Sequence, residues 1–495
     1  MPVAIFWFFC YIIEDEKYGK EAAMHESTKL KMNTFNRNFR RLFLYVSKDY
    51  DRRLSGLLNF AKRVTPNREM KEVVENVEKQ IKNNPTVKMY VERLFTDYNP
   101  QYTSHLLSNV LINVGFFNTA FEKLNAKEDL PTPFTILISP TMRCNLQCEG
   151  CYAGNYTRKD DLPPEVFDRI ITEGEDMGVY LYTILGGEPF IYEDLFDIIN
   201  KHPHSAFQIF TNCTFLDDKK IDKMWKSKNV VPVLSIEGNK EDTDRRRGSG
   251  VYEKVVSLMD TLKKQGIPFG YSLTLTRNNF DTVTKPEFYT WLAEKGAFFG
   301  WTFLYMPVGK DDDPSRMPTP EQRAYYGKTI RSIRGRYPIF PMDFWNDAPY
   351  VGGCIAGGRK YLHINSKGEV EPCIFTHFAV DNIKEKSLRE VLNSNFFKEI
   401  RSRQPFDKNL LLPCMIIDSP WQLREIVEKT GAYPTHSGAD DVLTKFTEQL
   451  KEYSEGVRRV LNPVWENEFK EKRPYLYTPA EELEKQEEKK EAKVS

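Results

Sequence analysis

The chain has 495 residues and carries 70 lysines and arginines against 70 aspartates and glutamates, so its formal net charge is zero. This even balance, without a dominant basic stripe, argues against nucleic acid as an obligatory partner, and the length allows two or three domains. Eight cysteines, three of them clustered, indicate metal binding in a reducing compartment, by default the cytoplasm, and not a disulfide framework.

The first residues, Val3 to Ile13, are almost entirely apolar, yet they are only about half as long as a membrane-spanning helix. They lack the positive flank and the small-residue cleavage site of a secretory signal. Two interpretations stay open: a short anchor at a membrane surface, or sequence upstream of a true start at Met24 or Met32. Residues 1–32 are therefore treated as an uncertain extension.

Residues 33–130 show apolar side chains at helical spacing, as in Phe39, Leu42, Phe43 and Val46 beside several arginines. We predict a helical N-terminal region that ends at a proline-containing linker. A basic amphipathic helix can lie on a membrane surface, so peripheral membrane contact is an alternative to ordinary packing inside the protein.

From residue 131 to 309, strand patterns alternate with helical patterns, and this series predicts an α/β fold. Right-handed crossovers would curl its parallel sheet into a partial (β/α)6 barrel, with the active site at the carboxyl ends of the strands. The predicted strands are Phe134–Ser139, Val179–Leu185, Ala206–Thr211, Val230–Ile236, Phe269–Thr276 and Gly300–Met306.

Three cysteines follow the first predicted strand with C-x3-C-x2-C spacing: Cys144, Cys148 and Cys151. Electron-carrier clusters of the 4Fe–4S type ordinarily take four cysteine ligands, so three thiolates would leave one iron open for a substrate or cofactor. A zinc site is the alternative. Zinc loops usually combine paired C-x2-C units with a fourth Cys or His, and no such partner follows nearby.

The segment Gly186-Gly187-Glu188-Pro189 directly follows the second predicted strand. Two glycines let the backbone approach a ligand closely, and the glutamate offers an acceptor for an ammonium group. Together with the cysteine spacing, the segment resembles the radical S-adenosylmethionine (radical SAM) superfamily. The resemblance implies that the open iron of a 4Fe–4S cluster binds S-adenosylmethionine and that these four residues hold its amine. It also implies reductive cleavage to a 5′-deoxyadenosyl radical, which takes a hydrogen from the substrate.

Two later strand ends carry further candidates. By the same resemblance Ser235 lies near the ribose or carboxylate of the cofactor, and Arg247 pairs with the carboxylate. Arg247 belongs to a run of three arginines that also suits an exposed turn. Glu237 stands where relatives usually carry aspartate.

Cys213 follows the third predicted strand, at a position where relatives commonly carry glycine. As a catalytic candidate it would donate a hydrogen atom to a substrate radical or hold a covalent intermediate. The alternative is a small apolar side chain that fills space in the core.

Cys354, Cys373 and Cys414 form a second group, and the stretch between the first two predicts a β-hairpin with its turn at Asn365–Gly368. The C-x13-G-x4-C pattern resembles the twitch or shortened SPASM module of radical SAM enzymes. We therefore predict a SPASM/twitch-like domain over residues 310–430 and a helical region with a charged tail over 431–495.

By that resemblance the second cysteine group binds an auxiliary iron–sulfur cluster. Its remaining iron would be open, or would take Asp418, His436 or a substrate atom as the fourth ligand. Three unrelated cysteines are the alternative.

The sequence thus predicts an oxygen-sensitive radical SAM enzyme supplied by an external one-electron reductant of the flavodoxin or ferredoxin type. A peptide is the commonest substrate among relatives with such modules. Many of these carry a winged-helix docking domain, but residues 33–127 lack its three-strand pattern. A lipid substrate would suit the amphipathic helices. An iron–sulfur electron-transfer or scaffold protein is the alternative from another class, although it would not need an amine-binding turn.

Overall fold

The computed structural model describes residues 21–64, 75, 78–79 and 81–471. The apolar segment at residues 3–13 and the charged tail beyond residue 471 lie outside the described residues. Within the described part of the chain, no helix has both the length and the apolar composition needed to cross a membrane.

Every regular element that the structure describes before residue 130 is helical, as predicted. Phe39 and Phe43 are buried and pack against the π-helical stretch and Tyr180, so the apolar face of the first helix is covered by the protein itself. The helices are Glu21–Val46, Tyr50–Val64, Pro85–Thr96, Pro100–Leu107 and Asn118–Asn125, with the π-helical stretch Ser108–Phe117 between the last two.

Six parallel strands neighbour each other in chain order, which confirms the partial (β/α)6 barrel. Every residue of the fourth strand is buried, as expected for a strand covered on both faces. The strands are β1 Thr135–Thr141, β2 Leu181–Gly186, β3 Ala206–Thr211, β4 Val230–Ser235, β5 Phe269–Leu275 and β6 Ala297–Leu304.

Helices connect these strands and cover the outside of the sheet. In Pro164–Asp176 the buried residues Phe167, Ile170, Ile171 and Gly174 form one helical stripe. A Cβ on Gly174 would lie 2.3 Å from the hydroxyl of Tyr182, so this helix lies directly on the sheet. The other connecting helices are Leu195–Lys201, Asp218–Ser227, Lys240–Arg247, Val251–Gln265, Phe280–Val283 and Pro286–Glu294.

The barrel sheet continues beyond the six strands on both sides. β7 (Phe340–Asp343) pairs parallel to β6, and β8 (Tyr361–Ile364) pairs parallel to β1. β9 (Val370–Glu371) lies antiparallel to β8, which confirms the predicted hairpin. The pairing of β8 with β1 was not predicted, and it brings the second cysteine group against the barrel.

The remaining elements surround this hairpin. A two-stranded sheet joins β10 (Phe378–Ala379) to β11 (Tyr433–Pro434). The helices are Pro320–Arg336, Leu388–Leu392, Asn395–Ser402, Pro420–Thr430 and Thr447–Val464, followed by the π-helical turn Trp465–Phe469.

Candidate active site

Cys144, Cys148 and Cys151 lie in the loop after β1 and line one cavity of about 270 Å³ at the carboxyl ends of the barrel strands. Among the residues with described positions, no three Cys, His, Asp or Glu side chains gather closely enough to hold a single metal ion. The three thiols share this cavity. Three thiolates can each bind one iron of a 4Fe–4S cluster and leave the fourth iron open.

Gly186 and Gly187 bring the end of β2 against the start of the cysteine loop, and both line the cavity. Gly186 has a φ of +115°, and a Cβ there would lie 2.4 Å from the carbonyl oxygen of Thr141. At Gly187 a Cβ would lie 2.2 Å from the carbonyl oxygen of Arg143. The Gly187 N–H also donates to the Thr141 carbonyl at 3.0 Å. Only glycine permits this close contact between the two loops.

Glu188 is completely buried and is not among the residues that line the cavity. Its carboxylate accepts hydrogen bonds from the hydroxyl of Thr211 at 2.8 Å and from the backbone N–H groups of Asn212 at 2.7 Å and Phe190 at 3.2 Å. Burial raises the pKa of Glu188 to about 7. The predicted contact between this carboxylate and an ammonium group thus has no support in the geometry. Glu188, with the buried Pro189 behind it, joins the ends of β2 and β3.

Ser235, Arg246 and Arg247 also line the cavity. The Nε of Arg247 donates to the carboxylate of Glu237 at 2.8 Å, and Arg246 pairs with the same oxygen at 2.5 Å. Burial would raise the pKa of Glu237, but the two guanidinium groups hold it below its usual range. Only 11% of the Arg247 side chain is exposed, so the exposed-turn alternative does not apply.

Cys213 has a φ of +70°, a conformation that favours glycine. Its thiol is buried within the main hydrophobic core and is not among the groups that line the cavity. Burial raises the pKa of Cys213, so the group is a neutral thiol. Its position favours the space-filling alternative, and the predicted catalytic role has no support in the geometry.

The cysteines of the second group lie near Tyr361 at the start of β8. The Tyr361 hydroxyl lies 2.9 Å from the sulfur of Cys373. Burial and the nearby thiols of Cys373, Cys354 and Cys414 raise the pKa of Tyr361. Three cysteines far apart in sequence therefore meet around one side chain, which also lines the barrel cavity.

The two side chains predicted as alternative fourth ligands have other partners. Asp418 forms a fully buried ion pair with Arg323, at 2.5 and 3.2 Å, and accepts the backbone N–H of Cys414 at 2.9 Å. The Nε2 of His436 lies 2.7 Å from the Nδ1 of His377. The geometry thus supports neither as a ligand, and an open iron or a substrate atom remains.

A buried polar network beside the site was not anticipated from the sequence. His363 lies 2.7 Å from the hydroxyl of Ser139 and 2.6 Å from the carboxylate of Glu371. Glu371 also accepts the hydroxyls of Tyr156 at 2.7 Å and Thr435 at 2.6 Å. The network links β1, the segment after the third cysteine and the β8–β9 hairpin. His363 and Glu371 face each other across that hairpin. The register of the predicted hairpin is therefore the sequence signal that could have paired them.

Two family models match the sequence: the radical SAM superfamily over residues 138–284, and an iron–sulfur cluster-binding domain, SPASM, over residues 354–415. AdoMet-dependent heme synthase of Methanosarcina barkeri is 24% identical over 291 residues, which cover 53% of this chain and 82% of that protein. PqqA peptide cyclase of Granulibacter bethesdensis is 23% identical over 283 residues, which cover 52% and 73%.

Among solved structures, Streptococcus suis SuiB bound to S-adenosylmethionine shares the fold, with a TM-score of 0.50 and 18% identity over 76% of this chain and 87% of that chain. A radical SAM domain implies a 4Fe–4S cluster and S-adenosylmethionine, and a SPASM domain implies an auxiliary iron–sulfur cluster. The chain therefore carries a radical SAM domain over residues 138–284 and a C-terminal SPASM-type iron–sulfur domain over residues 354–415, and it is an enzyme.

Proposed function

We propose that the protein reductively cleaves S-adenosylmethionine at a 4Fe–4S cluster bound by Cys144, Cys148 and Cys151. The observation that carries this proposal is the single cavity shared by these thiols, the glycine turn and two arginines. Held by these cysteines, the cluster would supply the one electron that breaks a C–S bond of the sulfonium; methionine would be released, and the 5′-deoxyadenosyl radical would take a hydrogen atom from the substrate to form 5′-deoxyadenosine.

The chain's own residues bind and orient the cofactor. The turn at Gly186 and Gly187, which lines the cavity, binds the methionyl amine through its backbone. Arg247 holds the cofactor carboxylate near Ser235, and Glu237 fixes the orientation of its guanidinium group.

The second group, Cys354, Cys373 and Cys414, binds the auxiliary cluster in this proposal. Tyr361, which also lines the barrel cavity, would donate a hydrogen bond to the Cys373 sulfur that holds this cluster. A one-electron reductant of the flavodoxin or ferredoxin type supplies the electrons.

The substrate in this proposal is a peptide. PqqA peptide cyclase is similar in sequence, and SuiB, which has a similar fold, was also solved with the precursor peptide SuiA. The amphipathic N-terminal helices do not favour a lipid substrate, because their apolar residues Phe39 and Phe43 pack inside the protein.

The test is production of 5′-deoxyadenosine by the anaerobically reconstituted protein with dithionite and S-adenosylmethionine. We expect product from the wild type and from a Cys213→Ala control, and none from Cys148→Ala. Peptides encoded beside the gene should increase the yield and change in mass. A wild-type protein that holds its iron but leaves S-adenosylmethionine intact with every peptide would instead support the electron-transfer alternative.

A further inference from the structure

The cavity extends from the cysteine loop down into the barrel, between side chains of β3 and β6. Phe210 of β3 and Phe303 of β6 meet across the interior, with ring centroids 6.1 Å apart. Gln208 and Trp301 each precede one of these rings by two residues, so they face the same interior one layer lower. Both line the cavity.

Gln208 and Trp301 each present an unpaired donor. The Nε2 of Gln208 and the Nε1 of Trp301 are buried and have no hydrogen-bond partner. Gln208 is only 7% exposed. Native structures pair nearly all of their buried polar groups, so two unpaired donors in one layer of a cavity indicate an acceptor that a ligand supplies.

Gln208 lies too deep to serve the cofactor at the strand ends. Asn212, four residues further along the chain, approaches the sulfur of Cys144 at 3.5 Å. Four residues of extended strand span about 13 Å, so Gln208 lies well below the cysteine loop. The acceptor for Gln208 and Trp301 therefore belongs to the substrate.

The lysine and arginine side chains that line the cavity have no acidic side chain beside them among its described lining residues. No aspartate or glutamate is among the residues that line it, all of which belong to the described part of the chain. Five lysines and arginines do line it: Arg158, Arg246, Arg247, Lys310 and Lys360. A cationic substrate group would find no counter-charge there, and its desolvation would be uncompensated.

We propose that the substrate inserts an uncharged group whose apolar part lies beside Phe210 and Phe303, and that an oxygen of this group accepts hydrogen bonds from Gln208 and Trp301. The group's C–H bonds then face the cysteine loop above. Its role as the site of hydrogen abstraction rests on the proposed function. Within a peptide, the pocket selects a neutral apolar residue and rejects lysine and arginine.

Binding of small probes to the reconstituted holoenzyme with S-adenosylmethionine tests this pocket without turnover. The probes are N-acetyl-leucinamide, N-acetyl-phenylalaninamide and N-acetyl-lysinamide, followed by ligand-observed NMR titration. We expect saturable binding of the two neutral amides and at least tenfold weaker binding of the lysine amide. Gln208→Leu and Trp301→Phe should each weaken the neutral probes by about three- to tenfold, the effect of one lost hydrogen bond.

Gln208→Glu supplies the acid that the cavity lacks, so it should bind the lysine amide more tightly than the wild type does. Trp421→Phe, at an exposed tryptophan outside the cavity, is the matched control and should change nothing. The proposed substrate pocket would be wrong if the neutral probes did not bind. It would also be wrong if they bound Gln208→Leu and Trp301→Phe as tightly as they bind the wild type. If the probes bind as expected but the enzyme produces no 5′-deoxyadenosine, only the proposed function is contradicted.

Discussion

Glu188 and Glu237 are buried carboxylates beside the same cavity, but their surroundings shift their pKa values in opposite directions. Glu188 is surrounded by neutral donors, and burial raises its pKa to about 7. Burial also opposes ionisation of Glu237, but Arg246 and Arg247 outweigh it and lower the pKa. Glu188 therefore links the strand ends by accepting hydrogen bonds from neutral donors, whereas Glu237 is the counter-ion of two arginines.

Tyr361→Phe tests the hydrogen bond to Cys373. Hydrogen bonds to cluster sulfurs raise the reduction potential, so we expect the auxiliary cluster to become harder to reduce in this variant. The measurement is an EPR-monitored redox titration. The other cluster, held by Cys144, Cys148 and Cys151 in our proposal, is the internal control and should keep its potential. An unchanged auxiliary potential would contradict the assignment.

Asp418→Asn separates a structural role from a ligand role. Loss of one partner from the buried Asp418–Arg323 pair should lower the free energy of unfolding by about 3 kcal/mol. The EPR signature of the auxiliary cluster should stay as in the wild type. Asp260→Asn, at an exposed pair with Lys295, is the matched control and should cost less than about 1 kcal/mol. An altered cluster signature in Asp418→Asn would identify a ligand after all.

At the scale of elements, the glycine turn after β2 holds the cysteine loop in place. Gly187→Ala would force a Cβ to within 2.2 Å of the Arg143 carbonyl, so the turn and the loop must separate. We expect the iron-loaded variant to bind S-adenosylmethionine at least tenfold more weakly, as measured by equilibrium dialysis. Gly56→Ala, where a Cβ has open space within a helix, should bind as the wild type does. Equal binding of S-adenosylmethionine by both variants would contradict the assignment of the turn to the cofactor site.

His202 links two outer helices and gives a pH-dependent contribution to stability. It follows helix Leu195–Lys201 and lies 2.9 Å from Asp168 and 3.4 Å from Glu175 of helix Pro164–Asp176. Burial lowers the pKa of His202, but the two carboxylates outweigh it and raise the pKa overall. The stabilisation is thus fully present below the unfolded-state pKa of about 6.5 and is lost as pH rises through the folded-state pKa.

We therefore expect His202→Gln to lower the melting temperature at pH 5.5 much more than at pH 9. Thermal unfolding followed by circular dichroism at both pH values provides the measurement. A difference between variant and wild type that stays constant with pH would show that His202 contributes through packing alone.

The local sequence pattern predicted the barrel strands because each strand is short, apolar and followed by a helical stripe. The bounds of β3 match the prediction, and the ends of the other five strands differ from it by at most three residues. Contacts between distant residues escaped prediction. The orientation of Glu188 depends on Thr211 and Asn212, and the pairing of β8 with β1 joins residues more than 200 positions apart. The burial of Cys213 depends on the core residues packed around it, and its φ of +70° is not predicted by the sequence pattern.

At the scale of the whole molecule, the barrel and the SPASM region share one continuous sheet of nine strands. Glu371 of the hairpin bonds to Tyr156 after the first cysteine group, and Tyr361 lies between the cavity and the second group. The two cysteine groups are thus held in a fixed relation by buried hydrogen bonds and a common sheet. The predicted domain boundary at residue 310 stays a prediction, and the sheet runs across it.

The central claim is a division of labour: the first cysteine group binds the cluster that meets S-adenosylmethionine, and the second binds a cluster that does not. EPR of two reduced variants tests it most directly, one with Cys144, Cys148 and Cys151 changed to alanine and one with Cys354, Cys373 and Cys414 changed. We expect S-adenosylmethionine to alter the spectrum only where the first group is intact. An altered spectrum in the variant that keeps only the second group would contradict the account.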